Sequence, residues 1–108
     1  MEEREFNDKA DAMLVRVEAA LDACSNECDF DFETKPGGVL ELEFENGSKV
    51  IINRHTAARE IWVAAKSGGY HFKLDNDRWV ATRSGEELLA AIGRCMSEQS
   101  GENVDLAG

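Results

Sequence analysis

Basic residues are scarce in this chain. Its 108 residues include 12 lysines and arginines against 22 aspartates and glutamates, which gives a formal charge of −10. Proteins bind nucleic acid largely through clustered cationic side chains that neutralise phosphates, and the sequence contains no such cluster. We therefore expect no nucleic-acid partner. The acidic excess instead favours metal ions or basic proteins as partners.

Long apolar runs are also missing. No stretch reaches the ~18 consecutive apolar residues typical of a membrane-spanning helix. The N-terminal segment MEEREFNDKADAML is charged where a secretory signal would be apolar. These features predict a cytoplasmic protein with no membrane partner.

Cysteine and histidine are few. Cys24, Cys28 and Cys95 are odd in number and form no Cys-x-x-Cys motif, so we expect neither a disulfide framework nor a structural zinc site. Cys24 and Cys28 are spaced to permit a soft-metal pair, although a packing cysteine beside a loop cysteine is the more common arrangement. Neither His55 nor His71 stands in a recognisable catalytic motif, and we expect no enzyme.

The first helix is predicted from apolar residues spaced three and four apart over residues 3–24. Acidic residues lie on the side of this helix opposite the apolar stripe. Acid on an outer helix face usually serves only solubility. The apolar positions are Phe6, Ala10, Met13, Leu14, Val17, Leu21 and Cys24, and the acids opposite are Asp8, Asp11, Glu18 and Asp22.

Strands are predicted from residue 29 onward, where apolar and acidic residues alternate over 29–33 and 40–45. Asn46-Gly47 is typical of a hairpin that leads into a strand over 48–53. A three-residue loop with a left-handed Gly47 would place Leu42 opposite Val50 and keep one face apolar, whereas a two-residue loop would not. We favour the former, which directs Ile51 and Asn53 outward.

The remaining segments complete an α+β fold. Further strands are expected over 60–64, 70–74 and 78–82, and a capping box over 84–87 is expected to open a second helix. Trp62 is predicted on the outer face and Trp79 in the core. The architecture is one domain over 1–108, an antiparallel sheet of about six strands with the N- and C-terminal helices on one face, and 99–108 as a loosely ordered tail.

The acidic strands are candidates for binding metal. Asp29, Asp31 and Glu33 share one strand face with neighbours about 7 Å apart, too wide for one rigid cage but close enough to share a hydrated ion. Thr34 occupies the glycine position of a calcium loop, which excludes an EF-hand. Such an open oxygen array suits weakly held hard cations, including Fe³⁺ and to a lesser extent Fe²⁺. The alternative is a purely solubilising surface.

The second candidate surface is the open face of the sheet. Trp62, Ile51 and Asn53 are predicted to lie there, and large apolar side chains on a water-facing sheet commonly mark a protein-binding surface. The alternative is a register shifted by one residue, which would bury Trp62 in the core.

A family resemblance is carried by Gly38 to Leu40, by Phe44 to Arg54 with its Ile-Ile-Asn-Arg segment, and by Ile61-Trp62 and Gly69 to Phe72. Together these segments resemble the bacterial frataxin family over nearly the whole chain. The resemblance implies a frataxin-like two-layer sandwich. It also implies a monomeric regulator of iron–sulfur cluster assembly that contacts the cysteine desulfurase and the scaffold protein, with iron-dependent oligomers as an open alternative.

The same resemblance implies that iron, Fe²⁺ or Fe³⁺, binds weakly and exchangeably to acids of the first helix and first strand. It implies partner contact through Asn53 and Trp62, beside the outward Ile51. Ferroxidase or iron-storage activity at the same carboxylates remains the alternative. This chain carries fewer acids at the end of the first helix than many relatives. The implied iron ligands are Asp11, Glu18, Asp22, Asp29, Asp31 and Glu33.

Overall fold

Two helices pack on one face of a six-stranded antiparallel sheet whose strands follow chain order. The structure is a computed structural model that describes residues 1–25 and 29–106. No helix in those ranges is both long and apolar enough to cross a membrane. The elements are α1 (Glu3–Cys24), β1 (Phe30–Lys35), β2 (Val39–Phe44), β3 (Lys49–His55), β4 (Glu60–Ala65), β5 (Gly68–Asp75), β6 (Arg78–Ala81) and α2 (Leu88–Ser100).

Helix α1 confirms the sequence prediction in its bounds and in its buried face. All seven predicted stripe residues, from Phe6 to Cys24, are buried. Trp79 is also in the core, as predicted, with 5% of its surface exposed. Its ring meets Phe6 edge to face at a centroid distance of 5.9 Å, which ties α1 to β6.

The β2–β3 hairpin has the predicted three-residue loop. Leu42 lies opposite Val50, so both hairpin strands direct apolar side chains toward the helices. Gly47 has φ +86°, and its N–H donates to the Phe44 carbonyl at 2.9 Å. A left-handed residue at this position closes the turn and sets the register, which places the odd-numbered residues of β3 on the outer face.

The predicted capping box at 84–87 is wrong. Helix α2 begins at Leu88, and its N-terminal cap residue, Glu87, makes no capping hydrogen bond through its side chain. The backbone before the helix instead follows β6, since the Ala81 N–H donates to the Glu86 carbonyl at 2.8 Å. The carboxylate of Glu87, the glutamate of the predicted box, accepts a hydrogen bond from Arg78 at 3.3 Å rather than returning to Ser84.

The C-terminal segment differs from the predicted tail. Helix α2 continues to Ser100, and beyond it Val104 and Leu106 are buried against the core. Gln99 is buried as well, and its side-chain amide donates to the Lys49 carbonyl at 3.1 Å and accepts from the Lys66 N–H at 2.8 Å. These bonds fasten the end of α2 to two neighbouring hairpins. Residues 107 and 108 and Cys28 lie outside the described residues.

Candidate functional site

The first two strands bring acids together across the sheet. In the β1–β2 register Asp31 lies directly opposite Glu43, and both side chains are exposed on the outer face. Residues directly opposed in an antiparallel pair have Cβ atoms about 4.5–5.5 Å apart, so carboxylates from the two strands can reach one cation. Asp29 precedes β1 and Glu45 follows β2, beside the same depression in the surface. Sequence spacing indicated acids on both strands, but only the register pairs Asp31 with Glu43.

One acid on these strands is already neutralised. The Glu41 carboxylate contacts the Lys35 ammonium at 2.8 Å and the Lys49 ammonium at 2.9 Å. The two hydrogen-bonded ammonium groups lower the pKa of Glu41 to about 2. Among the described carboxylates of β1 and β2, Glu41 is the one that forms ion pairs. Its opposite neighbour Glu33 shares the outer face and forms no ion pair with the described residues.

The acids of α1 do not form one cluster. Asp11 is bound to the Arg54 guanidinium of β3, so its charge is already balanced. Asp22 lies eleven residues further along the helix, about 16 Å from Asp11 at 1.5 Å per residue. Glu18 and Asp22 are four residues apart and are neighbours on the helix surface. The structure thus separates Asp11 from the other predicted ligands of α1.

Asp22 occupies a position that helix electrostatics disfavour. It lies in the last turn of α1, which contains no basic residue. The C-terminal end of a helix carries partial negative charge, so a carboxylate there costs about 0.3–1 kcal/mol. A like-charged neighbour at i−4, here Glu18, adds a further few tenths of a kcal/mol. Neutralisation of these carboxylates by a cation would remove both costs.

No group of three or more aspartate, glutamate, histidine or cysteine side chains in residues 1–25 and 29–106 is arranged to hold a metal ion. A cation at Asp31 and Glu43 would therefore be held by two carboxylates, with water completing its shell. Hard cations accept such mixed shells. This arrangement favours weak and exchangeable binding.

The open face of the sheet carries the three residues predicted for partner contact. Trp62 lies opposite Asn53, and Ile51 lies opposite Ala64, all with side chains directed away from the helices. Beside them, the small side chain of Ala64 and the bare backbone of Gly69 leave an open groove of about 410 Å³. The predicted face is confirmed for all three residues.

Trp62 is half-buried rather than exposed, because two imidazoles cover its indole. The His55 ring stacks on it at a centroid distance of 3.7 Å with 12° between the planes, and the His71 ring at 4.4 Å with 10°. The indole N–H donates to a Glu60 carboxylate oxygen at 2.8 Å. Both faces of the indole are thus covered, and its edge is the part that remains open.

The stack of His55 and His71 on Trp62 was not predicted from the sequence. His71 lies directly opposite Trp62 across β4–β5, and His55 is two residues beyond Asn53, the residue opposite Trp62 on β3. The alternation of inward and outward residues along β3, β4 and β5 does place all three side chains on the outer face. The β4–β5 register that brings them together was not fixed by any turn motif as strong as the Asn46-Gly47 hairpin.

Sequence comparisons identify similar proteins. The profile of the frataxin-like domain matches residues 1–102. The chain is 49% identical over 106 residues to the iron-sulfur cluster assembly protein CyaY of Dechloromonas aromatica (strain RCB), covering 98% of this chain and 99% of the relative. It is 50% identical over 101 residues to the protein of the same name from Cupriavidus pinatubonensis (strain JMP 134 / LMG 1197), covering 93% and 91%.

Solved structures of similar fold include two frataxins. The frataxin of Psychromonas ingrahamii superposes with a TM-score of 0.88 at 32% identity and covers 100% of both chains. A trimeric frataxin from the yeast Saccharomyces cerevisiae, complexed with ferrous iron, superposes with a TM-score of 0.74 at 28% identity and covers 87% of both chains.

Proposed function

This chain belongs to the frataxin-like family, and from that premise we propose that it is a cytoplasmic, non-enzymatic protein of iron–sulfur cluster assembly. In this role it binds Fe²⁺ or Fe³⁺ weakly and modulates the complex of cysteine desulfurase and scaffold protein. Support comes from the names of its relatives and from the iron-bound yeast relative. The observation that carries the iron-binding role is the directly opposed carboxylate pair Asp31 and Glu43 on the outer face, which forms no ion pair with the described residues.

We propose two sets of iron-binding carboxylates. The first is the strand pair Asp31 and Glu43, with Asp29 just before β1, whose carboxylates form no ion pair with the described residues although Lys49 lies opposite Glu43 on β3. The second is the helix pair Glu18 and Asp22. Asp11 and Glu33 complete the six ligands implied by the family, but Asp11 is already occupied by Arg54. We therefore rank Asp11 last among them.

Iron binding is tested by anaerobic titration with Fe²⁺, followed by paramagnetic broadening of backbone amides. The double variant D31N/E43Q should lower the affinity several-fold and remove broadening around β1 and β2. Asp75→Asn is the matched control, because this exposed acid lies at the end of β5, three strands from β2. Equal affinity in the double variant and the control would contradict a strand site.

The helix pair has a second readout. Asp22→Asn should weaken iron binding at α1 and at the same time raise the stability of the metal-free protein by about 0.3–1 kcal/mol, because it removes a charge from the negative helix end. Lower stability in this variant would show that Asp22 serves the fold instead. Oxygen uptake during turnover with Fe²⁺ would indicate the ferroxidase alternative.

Partner contact is assigned to the open sheet face with Ile51, Asn53 and Trp62. Asn53→Ala should weaken desulfurase binding, whereas Arg78→Ala, on the far edge strand β6, should leave it unchanged.

If the basic surface of the desulfurase and iron compete for the same carboxylates, saturating Fe²⁺ should lower the affinity for the desulfurase. Affinity independent of iron would contradict this competition. Sedimentation with and without Fe²⁺ distinguishes the proposed monomer from iron-dependent oligomers.

A further inference from the structure

The two edge strands of the sheet differ in whether the chain covers their outward peptide groups. At the β6 edge the chain itself covers the strand, since Ala81 donates to the Glu86 carbonyl and Val80 forms a bridge with Glu87. At the β1 edge, within residues 1–25 and 29–106, the described backbone hydrogen bonds all run to β2. An edge strand with free peptide groups is a template for pairing with another strand.

The free peptide groups on β1 can be identified from the register. Phe44 N–H donates to the Ser48 carbonyl at 2.9 Å, so the even-numbered residues of β2 direct their peptide groups to β3 and the odd-numbered residues direct theirs to β1. The β1–β2 register pairs odd with odd. The peptide groups left at the open edge therefore belong to Phe30, Phe32 and Thr34.

The side chains of β1 define what could pair there. On the inner face Phe30 and Phe32 are only half-buried, with their rings stacked at 6.1 Å, so their flank is open to a further apolar side chain. On the outer face Asp31 and Glu33 are exposed and form no ion pair with the described residues. A second copy of β1 would set these acids against like charges, which disfavours self-pairing.

We propose that β1 is a docking edge for an extended segment of a partner protein in which basic and apolar residues alternate, added as a seventh strand. Main-chain hydrogen bonds to Phe30, Phe32 and Thr34 would supply affinity, as in other cases of strand addition. Basic side chains would lie beside Asp31 and Glu33, and apolar ones would cover the flank of the two phenylalanines. This docking goes beyond the proposed iron role and needs no metal.

The experiment uses the full chain without iron and a short synthetic peptide that alternates lysine and valine. At saturating peptide, amide exchange at Phe30, Phe32 and Thr34 should slow about tenfold or more, because these N–H groups become hydrogen-bonded. The amides of Asp31 and Glu33 are already bonded to β2 and should change little. Binding without protection at the three even-numbered amides would overturn the proposal, because it would show attraction by charge alone.

A matched pair of variants isolates the main-chain contact. Thr34→Pro removes the outward N–H, and proline is tolerated where an edge N–H faces solvent. Thr34→Ala removes the same hydroxyl but keeps the N–H. The proline variant should bind the peptide several-fold more weakly than the alanine variant, and equal affinity would overturn the proposal. If the proline variant fails to fold, the exchange measurement on the unaltered chain decides. A peptide alternating glutamate and valine should not bind.

Discussion

The two tryptophans should respond oppositely to truncation, because one fills the core and the other stands on the open sheet face. Trp79 is 5% exposed and contacts Phe6 edge to face. Trp62 is held between two imidazoles on the outer face and contributes nothing to the core between sheet and helices. Trp79→Ala therefore tests the fold, and Trp62→Ala tests the surface.

The expected magnitudes follow from what each ring loses. Truncation of a fully buried Trp to Ala costs about 3–5 kcal/mol, because transfer and cavity terms add. For Trp62 we expect about 0.5 kcal/mol for each of two water-exposed stacks. The hydrogen bond to Glu60 adds about 0.5–1 kcal/mol, so the loss totals about 1.5–2 kcal/mol. At about 4–6 °C per kcal/mol for a domain of this size, Tm should fall by about 12–30 °C for Trp79→Ala and about 6–12 °C for Trp62→Ala.

The assay is urea and thermal unfolding followed by far-UV circular dichroism, with desulfurase binding measured on the same samples. Trp62→Ala should weaken partner binding while the domain stays folded. Trp62→Phe is the control, because it keeps an aromatic ring between the histidines and loses only the bond to Glu60. Equal destabilisation by Trp62→Ala and Trp79→Ala would refute the assignment of Trp62 to the surface.

Two further predictions concern stability. Protonation of Glu41 should destabilise the fold as pH falls from about 5 to 2, since its pKa is about 2 when folded and near 4.5 when unfolded. In acid unfolding, Glu41→Gln should therefore lose less stability over that pH range than Glu43→Gln. Identical unfolding curves for the two variants would contradict this prediction. Gly38 has φ +77°, and a Cβ there would lie 2.9 Å from the Arg54 Cβ, whereas Gly37 has φ +88° and open space around it. Gly38→Ala should therefore cost more than the about 1–2 kcal/mol expected of Gly37→Ala in urea unfolding, and equal costs would show that Arg54 yields without strain.

Much of the fold could be predicted because the turn motifs in the sequence and the pattern of apolar residues indicate the same strand register. The Gly47 turn and the apolar alternation around it define one register, and that register alone placed Ile51 and Asn53 on the outer face. The capping box failed because its residues pair with β6, and Arg78 of β6 competes for the Glu87 carboxylate. A motif read only from neighbours in sequence does not include that competitor.

The candidate site was predicted less completely, since its chemistry depends on which side chains of neighbouring strands lie side by side. Glu41 and Glu43 are indistinguishable in the sequence pattern. Only the assembled strands place two ammonium groups, one from β1 and one from β3, on Glu41. The imidazoles over Trp62 likewise come from the strands on either side of β4.

The contrast between Glu41 and Glu43 separates a structural carboxylate from a candidate ligand on the same strand. Glu41 has a structural role, because Lys35 and Lys49 neutralise its carboxylate. Glu43 lies directly opposite Asp31 and forms no ion pair with the described residues, and two acids directly opposed in an antiparallel pair cost stability. A cation at that pair would relieve the repulsion that the lysines relieve at Glu41. Iron binding should therefore stabilise the β1 edge, which couples occupancy of the metal site to the strand proposed to receive a partner.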